Sequence, residues 1–221
     1  MFKWKTTTVF SLLIALIPLG LYLYLYPQMP ETVPMHFDWR GQADRFVEKS
    51  SLEVPLLAGL GVIGFAVLKG IFALTLRFGG QQTKDNGPAA AKIVDLSILC
   101  CTVLFAAISV HALVVQTGTA AFSGLVMVRI TIVMLGLLML VTGNLMPKLR
   151  RNSLAGLRLK ETLTDDRAWF RGQRFAGRCY VAGGMLMLAG LLLPGWWVVY
   201  TGIAVFALAN VLPIVYVKRK L

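Results

Sequence analysis

Long runs of apolar residues, nearly free of charge, constrain this 221-residue chain more than any other feature. They cover residues 9–26, 54–78, 93–115, 122–146, 175–193 and 196–217. An apolar helix of roughly 20 residues crosses the ~30 Å hydrocarbon core of a bilayer. In lipid the backbone must satisfy its own hydrogen bonds, which makes helices the natural way for such runs to cross. The fold class expected is therefore an all-α integral membrane protein of six transmembrane helices with short loops. With 57% apolar and 14% charged residues, a soluble domain is excluded. The first run has the length of a span rather than of a signal-peptide core, which is about 7–15 residues, and no small-residue cleavage site follows it.

The basic residues orient the spans. Of 22 Lys and Arg, 17 fall in segments that a six-span arrangement places on one side, three on the other (Arg40, Arg45, Lys49), and two, Lys69 and Arg129, within spans. Lys and Arg accumulate in cytoplasmic loops, so both termini are expected to be cytoplasmic. The net charge of +12 sits beside spans, where it meets anionic headgroups of membrane lipids, and direct nucleic-acid binding is not expected. Cys100, Cys101 and Cys179 lie in or beside apolar runs without metal-binding spacing, so they read as buried thiols.

This gives four segments. Residues 1–52 hold the first span and an outer loop; 53–142 hold spans two to four; 143–178 form a cytoplasmic basic loop; 179–221 form a hairpin of spans five and six. The outer loop begins with Pro27, Pro30 and Pro34, which forbid continuous helix. It predicts a short extended stretch over 33–39 and a turn over 41–44. A folded lid is expected, with His36 and Asp44 hydrogen-bonded and Phe37, Trp39 and Phe46 packed on the spans or on lipid. One His among scattered acids is a weak metal signal, and neither a metal nor a cofactor is expected.

Lys69, Asp95, His111 and Arg129 lie in apolar runs, where a charge costs several kcal/mol unless it pairs, snorkels or works. Arg129, about 10 Å from the outer end of its span at helical rise, either snorkels or faces an outer vestibule to meet Glu48 or Glu53. In the inner loop, Pro147 should stop the fourth span. Asn152 and Gly156 suit a turn, and Thr164 before Asp165-Asp166 suits a helix start. Trp169, Phe170 and Phe175 alternating with Arg167, Arg171 and Arg174 predict an interfacial helix that feeds the fifth span.

The inner loop resembles the signature of the SdpI family, bacterial membrane proteins named for immunity to a secreted toxic peptide. The residues that match are Gly143-Asn144, Met146-Pro147-Lys148, Asn152, Gly156-Leu157-Arg158, Thr162-Leu163, Trp169 and Gly177. Pro34, His36-Phe37, Gly41, Asp44 and Lys49 resemble the short outer motif that precedes it in many relatives. The chain departs from the pattern at Lys160-Glu161, where relatives commonly have Pro-Trp, and at Gly172-Gln173, where they often have Thr-His.

The resemblance implies a receptor-like role: protection from the peptide outside, and sequestration of a cytoplasmic transcriptional repressor at the membrane. The candidate outer residues are His36, Gly41, Asp44, Lys49 and Arg129. The candidate inner residues are Asn144, Pro147, Asn152, Gly156, Arg158, Thr162 and Trp169. The alternative is an enzyme or transporter for a lipid or amphipathic molecule, built around Arg129, His111 and Gln116, although no catalytic constellation is visible. A structural membrane subunit is the third class.

Overall fold

The computed structural model describes residues 4–38, 42–78, 88–118, 124–152 and 154–220. Helices dominate: α1 Trp4–Leu25, α2 Glu53–Ala58, α3 Leu60–Phe78, α4 Pro88–Gln116, α5 Gly124–Leu145, α6 Lys160–Thr164, α7 Asp166–Gly190 and α8 Trp197–Lys220. A two-stranded antiparallel hairpin, β1 Thr32–Phe37 and β2 Ala43–Glu48, sits between α1 and α2. Among the described residues, five stretches are long and apolar enough to cross a membrane: Thr6–Gln28, Leu60–Phe78, Ala90–Gln116, Gly124–Lys148 and Trp197–Lys220. The protein is thus an all-α multi-pass membrane protein, with the hairpin as an addition that the apolar pattern does not announce.

The helix boundaries follow local chemistry. Pro55 stands in the first turn of α2, where its missing N–H costs nothing. Pro147 ends α5 in a 3-10 turn, Met146–Lys148, as its lack of a donor requires. Two expectations need correcting. Thr164 does not start a helix: it closes α6, its hydroxyl donating back to Lys160 O at 2.9 Å. The cap of α7 is Asp165, whose carboxylate accepts from Arg167 N at 2.8 Å. The amphipathic stretch runs into the apolar run after it as one uninterrupted helix, α7, so the segment boundary expected between 178 and 179 falls inside a helix. One polar-to-apolar change along its sequence needs no break in its hydrogen bonds.

The chain divides into two compact units, residues 1–70 with 98–130, and 71–97 with 131–221. The first has a core of Met29, Val33, Val54, Ala58 and Leu113 beneath the hairpin. There Ser109 Oγ donates to Leu57 O at 2.7 Å and links α4 to α2.

The second unit is built on close helix approach. A Cβ on Gly177 would stand 2.6 Å from Gly143 O, and one on Gly184 would stand 2.7 Å from Gly136 O. Two turns of α5 and α7 therefore touch backbone to backbone, the contact that small residues permit in membranes. α7 packs along α8 as well, with Tyr180 Oη donating to Asn210 Oδ1 at 2.7 Å and Phe175 stacked on Tyr216 at 4.3 Å between ring centroids.

Candidate functional site

Two loop regions carry the candidate residues, one in each unit. In the first, β1 and β2 pair from Thr32↔Glu48 to Phe37↔Ala43, with irregular register around His36. Asp38 closes the turn: its N–H donates to Gln42 O and its carboxylate accepts from Gln42 N, both at 2.8 Å. His36 Nδ1 lies 2.6 Å from Asp44 Oδ1, so the ring donates from Nδ1–H to the ionised carboxylate. Asp44 therefore belongs to a strand rather than to the expected turn, and its pairing with His36 is across strands. Gly41 and Trp39 lie outside the described residues.

Lys49 is a staple at the hairpin's base. Its Nζ reaches Glu31 Oε1 at 2.9 Å and Met29 O at 3.4 Å, while its backbone N–H donates to Glu31 O at 2.9 Å. Arg45 grips Glu53 with both ends of its fork, at 3.1 and 2.6 Å, tying β2 to α2. That hydrogen bond holds the Glu53 carboxyl below its ordinary value, and the same bond raises the Arg45 guanidinium. Glu53 was one of two acids suggested for Arg129; here Arg45 engages it. Arg129 itself stands half-buried on α5. Phe46 is 57% exposed, which places it at the surface rather than packed on a span.

From the other side of β1, the buried Gln116 amide donates toward Pro34 O at 3.4 Å and Met35 Sδ at 3.0 Å. Among the described residues, no group of three or more His, Cys, Asp and Glu comes together in this region or elsewhere.

The second region, residues 146–173, is a latch closed by buried polar contacts. Asn152 Oδ1 accepts from the backbone of Leu154 and Ala155, each at 2.8 Å, and its amide donates to Arg150 O at 2.8 Å and Ala155 O at 3.2 Å. This small polar knot turns the chain. Gly156 follows at φ +106°, a backbone region that L side chains rarely adopt. A Cβ there would also meet Gln173 Oε1 at 2.6 Å.

Gln173 then clamps Leu157 completely. Its Oε1 accepts from Leu157 N and its Nε2 donates to Leu157 O, both at 3.0 Å. Thr162 Oγ1 accepts from Leu159 N at 2.9 Å and lies 2.8 Å from Leu157 O. Trp169, fully buried, donates from Nε1 to Leu149 O at 2.8 Å. Each of these groups would be costly to bury unpaired, and each is paired.

Asn152, Gly156, Thr162 and Trp169 therefore hold the latch shut, while Asn144, Pro147 and Arg158 stay exposed. Gln173 is the residue that sequence reasoning missed. A side-chain amide serves here because it has both a donor and an acceptor for one peptide unit.

The model of the SdpI/YfhL protein family matches residues 148–217, about a third of the chain, including this latch and α7–α8. Residues 148–217 are thus similar to the SdpI/YfhL family. A domain of unknown function, DUF1648, matches residues 13–62, which covers most of α1, the hairpin and α2. No curated protein and no solved structure matches the chain. With five apolar helices of membrane-spanning length among its described residues and this family match, the chain is a multi-pass protein of the cell membrane.

Proposed function

We propose that this SdpI-like protein protects its cell from a secreted toxic peptide and sequesters a transcriptional repressor at the membrane. In this reading α7 supplies a sixth crossing and both termini are cytoplasmic. The hairpin faces outward and meets the peptide through His36, Gly41, Asp44, Lys49 and the exposed Phe46, with Arg129 behind it. The latch faces inward and offers the repressor its exposed residues, Arg158 and Asn144, while Asn152, Gly156, Thr162 and Trp169 keep it in shape. A peptide can alter the inner surface only through different affinities for two packings of the helices.

The observation that carries this reading is the pairing of two family regions in one chain, each folded into a presented loop: a hairpin under the one match, a latch under the other. The charge distribution supports the assignment of sides, since the hairpin segment carries three bases against five acids (Glu31, Asp38, Asp44, Glu48, Glu53) and the latch segment is strongly basic. The test is expression in a sensitive host exposed to purified candidate peptides, with Arg129→Ala and Arg158→Ala beside the wild type. Protection by the wild type is expected, with Arg158→Ala still protecting but failing to hold the repressor at the membrane. No protection and no peptide binding would end the reading.

A further inference from the structure

The first four turns of α7 carry Arg167, Arg171, Arg174 and Arg178, with Phe170 among them. These positions fall at helical spacings of three, four, seven and eleven, so they share one face. The buried residues Ala168, Trp169, Gly172, Gln173, Ala176 and Gly177 occupy the opposite face. All four arginines are exposed, and among the described residues no carboxylate pairs with any of their guanidinium groups. Arg167, Phe170, Arg171 and Arg174 line a shallow, open groove of about 370 Å³.

Farther along the same helix the same face turns apolar and stays exposed: Met185 is 55% exposed and, just past the helix end, Leu192 is 90% exposed. From Arg178 to Met185 is about 10 Å at helical rise. A single unbroken helix face thus passes from unpaired guanidinium groups to bare hydrocarbon. That is the profile of a membrane boundary, with a phosphate layer above acyl chains.

We propose that this groove is a binding site for an anionic phospholipid. The headgroup phosphate lies across Arg171 and Arg174, flanked by Arg167 and Arg178, and the acyl chains run down past Met185. Guanidinium forks suit the phosphate because they make two parallel charge-assisted hydrogen bonds to it. Phe170, 45% exposed, gives the glycerol level an apolar floor. An acidic protein segment would satisfy the arginines but would leave the adjoining apolar strip unexplained, which decides the choice in favour of lipid. The site does not rest on the immunity reading.

The test is lipid retention by the full chain, purified from bilayers of phosphatidylcholine containing a minor fraction of phosphatidylglycerol and read by native mass spectrometry. The wild type should retain phosphatidylglycerol preferentially. Selectivity should fall roughly fivefold for each arginine removed in Arg171→Gln and in the double variant with Arg174→Gln. Arg171→Lys, which keeps the charge but loses the fork, should fall between. Raising salt from about 0.1 to about 1 M should weaken the wild-type preference through screening, an arm that needs no variant to fold. Inorganic phosphate should not displace the lipid. Equal retention of both lipids by the wild type, unchanged selectivity in a folded double variant, or displacement by inorganic phosphate or a polyglutamate peptide would each overturn the proposal.

Discussion

The hairpin and the latch are both loops of a membrane protein, yet they are held by opposite means. The hairpin's side-chain ties are the His36–Asp44 hydrogen bond and the ion pairs Arg45–Glu53 and Lys49–Glu31, all near the surface. The latch is closed by neutral hydrogen bonds in its interior, from Trp169, Gln173, Thr162 and Asn152 to main-chain groups. Surface pairs are screened and contribute little, whereas a buried polar group left without its partner is costly. The hairpin is thus built to depend on pH, salt and whatever touches it. The latch is built to keep one shape. Such a difference suits a sensing element and a rigid platform.

Mutations can break that comparison. The largest effect is expected from Trp169→Ala, which empties a fully buried site and orphans Leu149 O. A loss of about 3–5 kcal/mol should appear in unfolding of the purified protein in micelles, and a loss as small as a surface change would show that the latch is not part of the core.

Gln173→Ala comes next. It strands both polar groups of Leu157, a loss of about 1–3 kcal/mol, visible as faster amide exchange around residue 157. Gly177→Ala forces a Cβ toward Gly143 O and should lower stability by about 1–3 kcal/mol in the same unfolding measurement.

Lys49→Ala should change global stability by less than about 1 kcal/mol while raising protease cleavage within 32–48. Equal damage from Lys49→Ala and Gln173→Ala would erase the distinction between the two loops.

The smallest effect is a pH dependence. Because Arg45 holds the Glu53 carboxyl below the ordinary glutamate value of about 4.3, the pair's contribution is complete above that value. It disappears only as pH falls through the lower folded value. Carboxyl chemical shifts of Glu53 should therefore titrate at lower pH in the wild type than in Arg45→Ala, and coincident titrations would remove this tie.

Local chemistry in the sequence was enough for some of these features. Pro147 stops a helix wherever it stands, Gly156 and Asn152 mark a turn by their own conformational preferences, and the apolar runs mark the long helices. What escaped was non-local or weakly patterned. The strand Ala43–Glu48 has no clean alternation of apolar and polar residues, and only its partner, Thr32–Phe37, makes it a strand. Gln173 serves Leu157, sixteen residues earlier, and nothing near either residue announces the pairing. Asp165 and Thr164 are both good caps, and the short helix Lys160–Thr164 that decides between them has too little pattern to be read. The signature residues were legible as a set, but not as mostly architectural. That follows from where Trp169, Thr162 and Asn152 point, which only the fold reveals.

The proposed function requires the hairpin and the latch to face opposite sides of the bilayer. Its most direct test places a single cysteine at Phe46→Cys or Arg158→Cys, with Cys100, Cys101 and Cys179 changed to serine, and treats intact cells with a membrane-impermeant maleimide. The account predicts labelling at 46 in intact cells, and at 158 only after the membrane is opened. Labelling of both positions in intact cells, or of both only after opening, would contradict it.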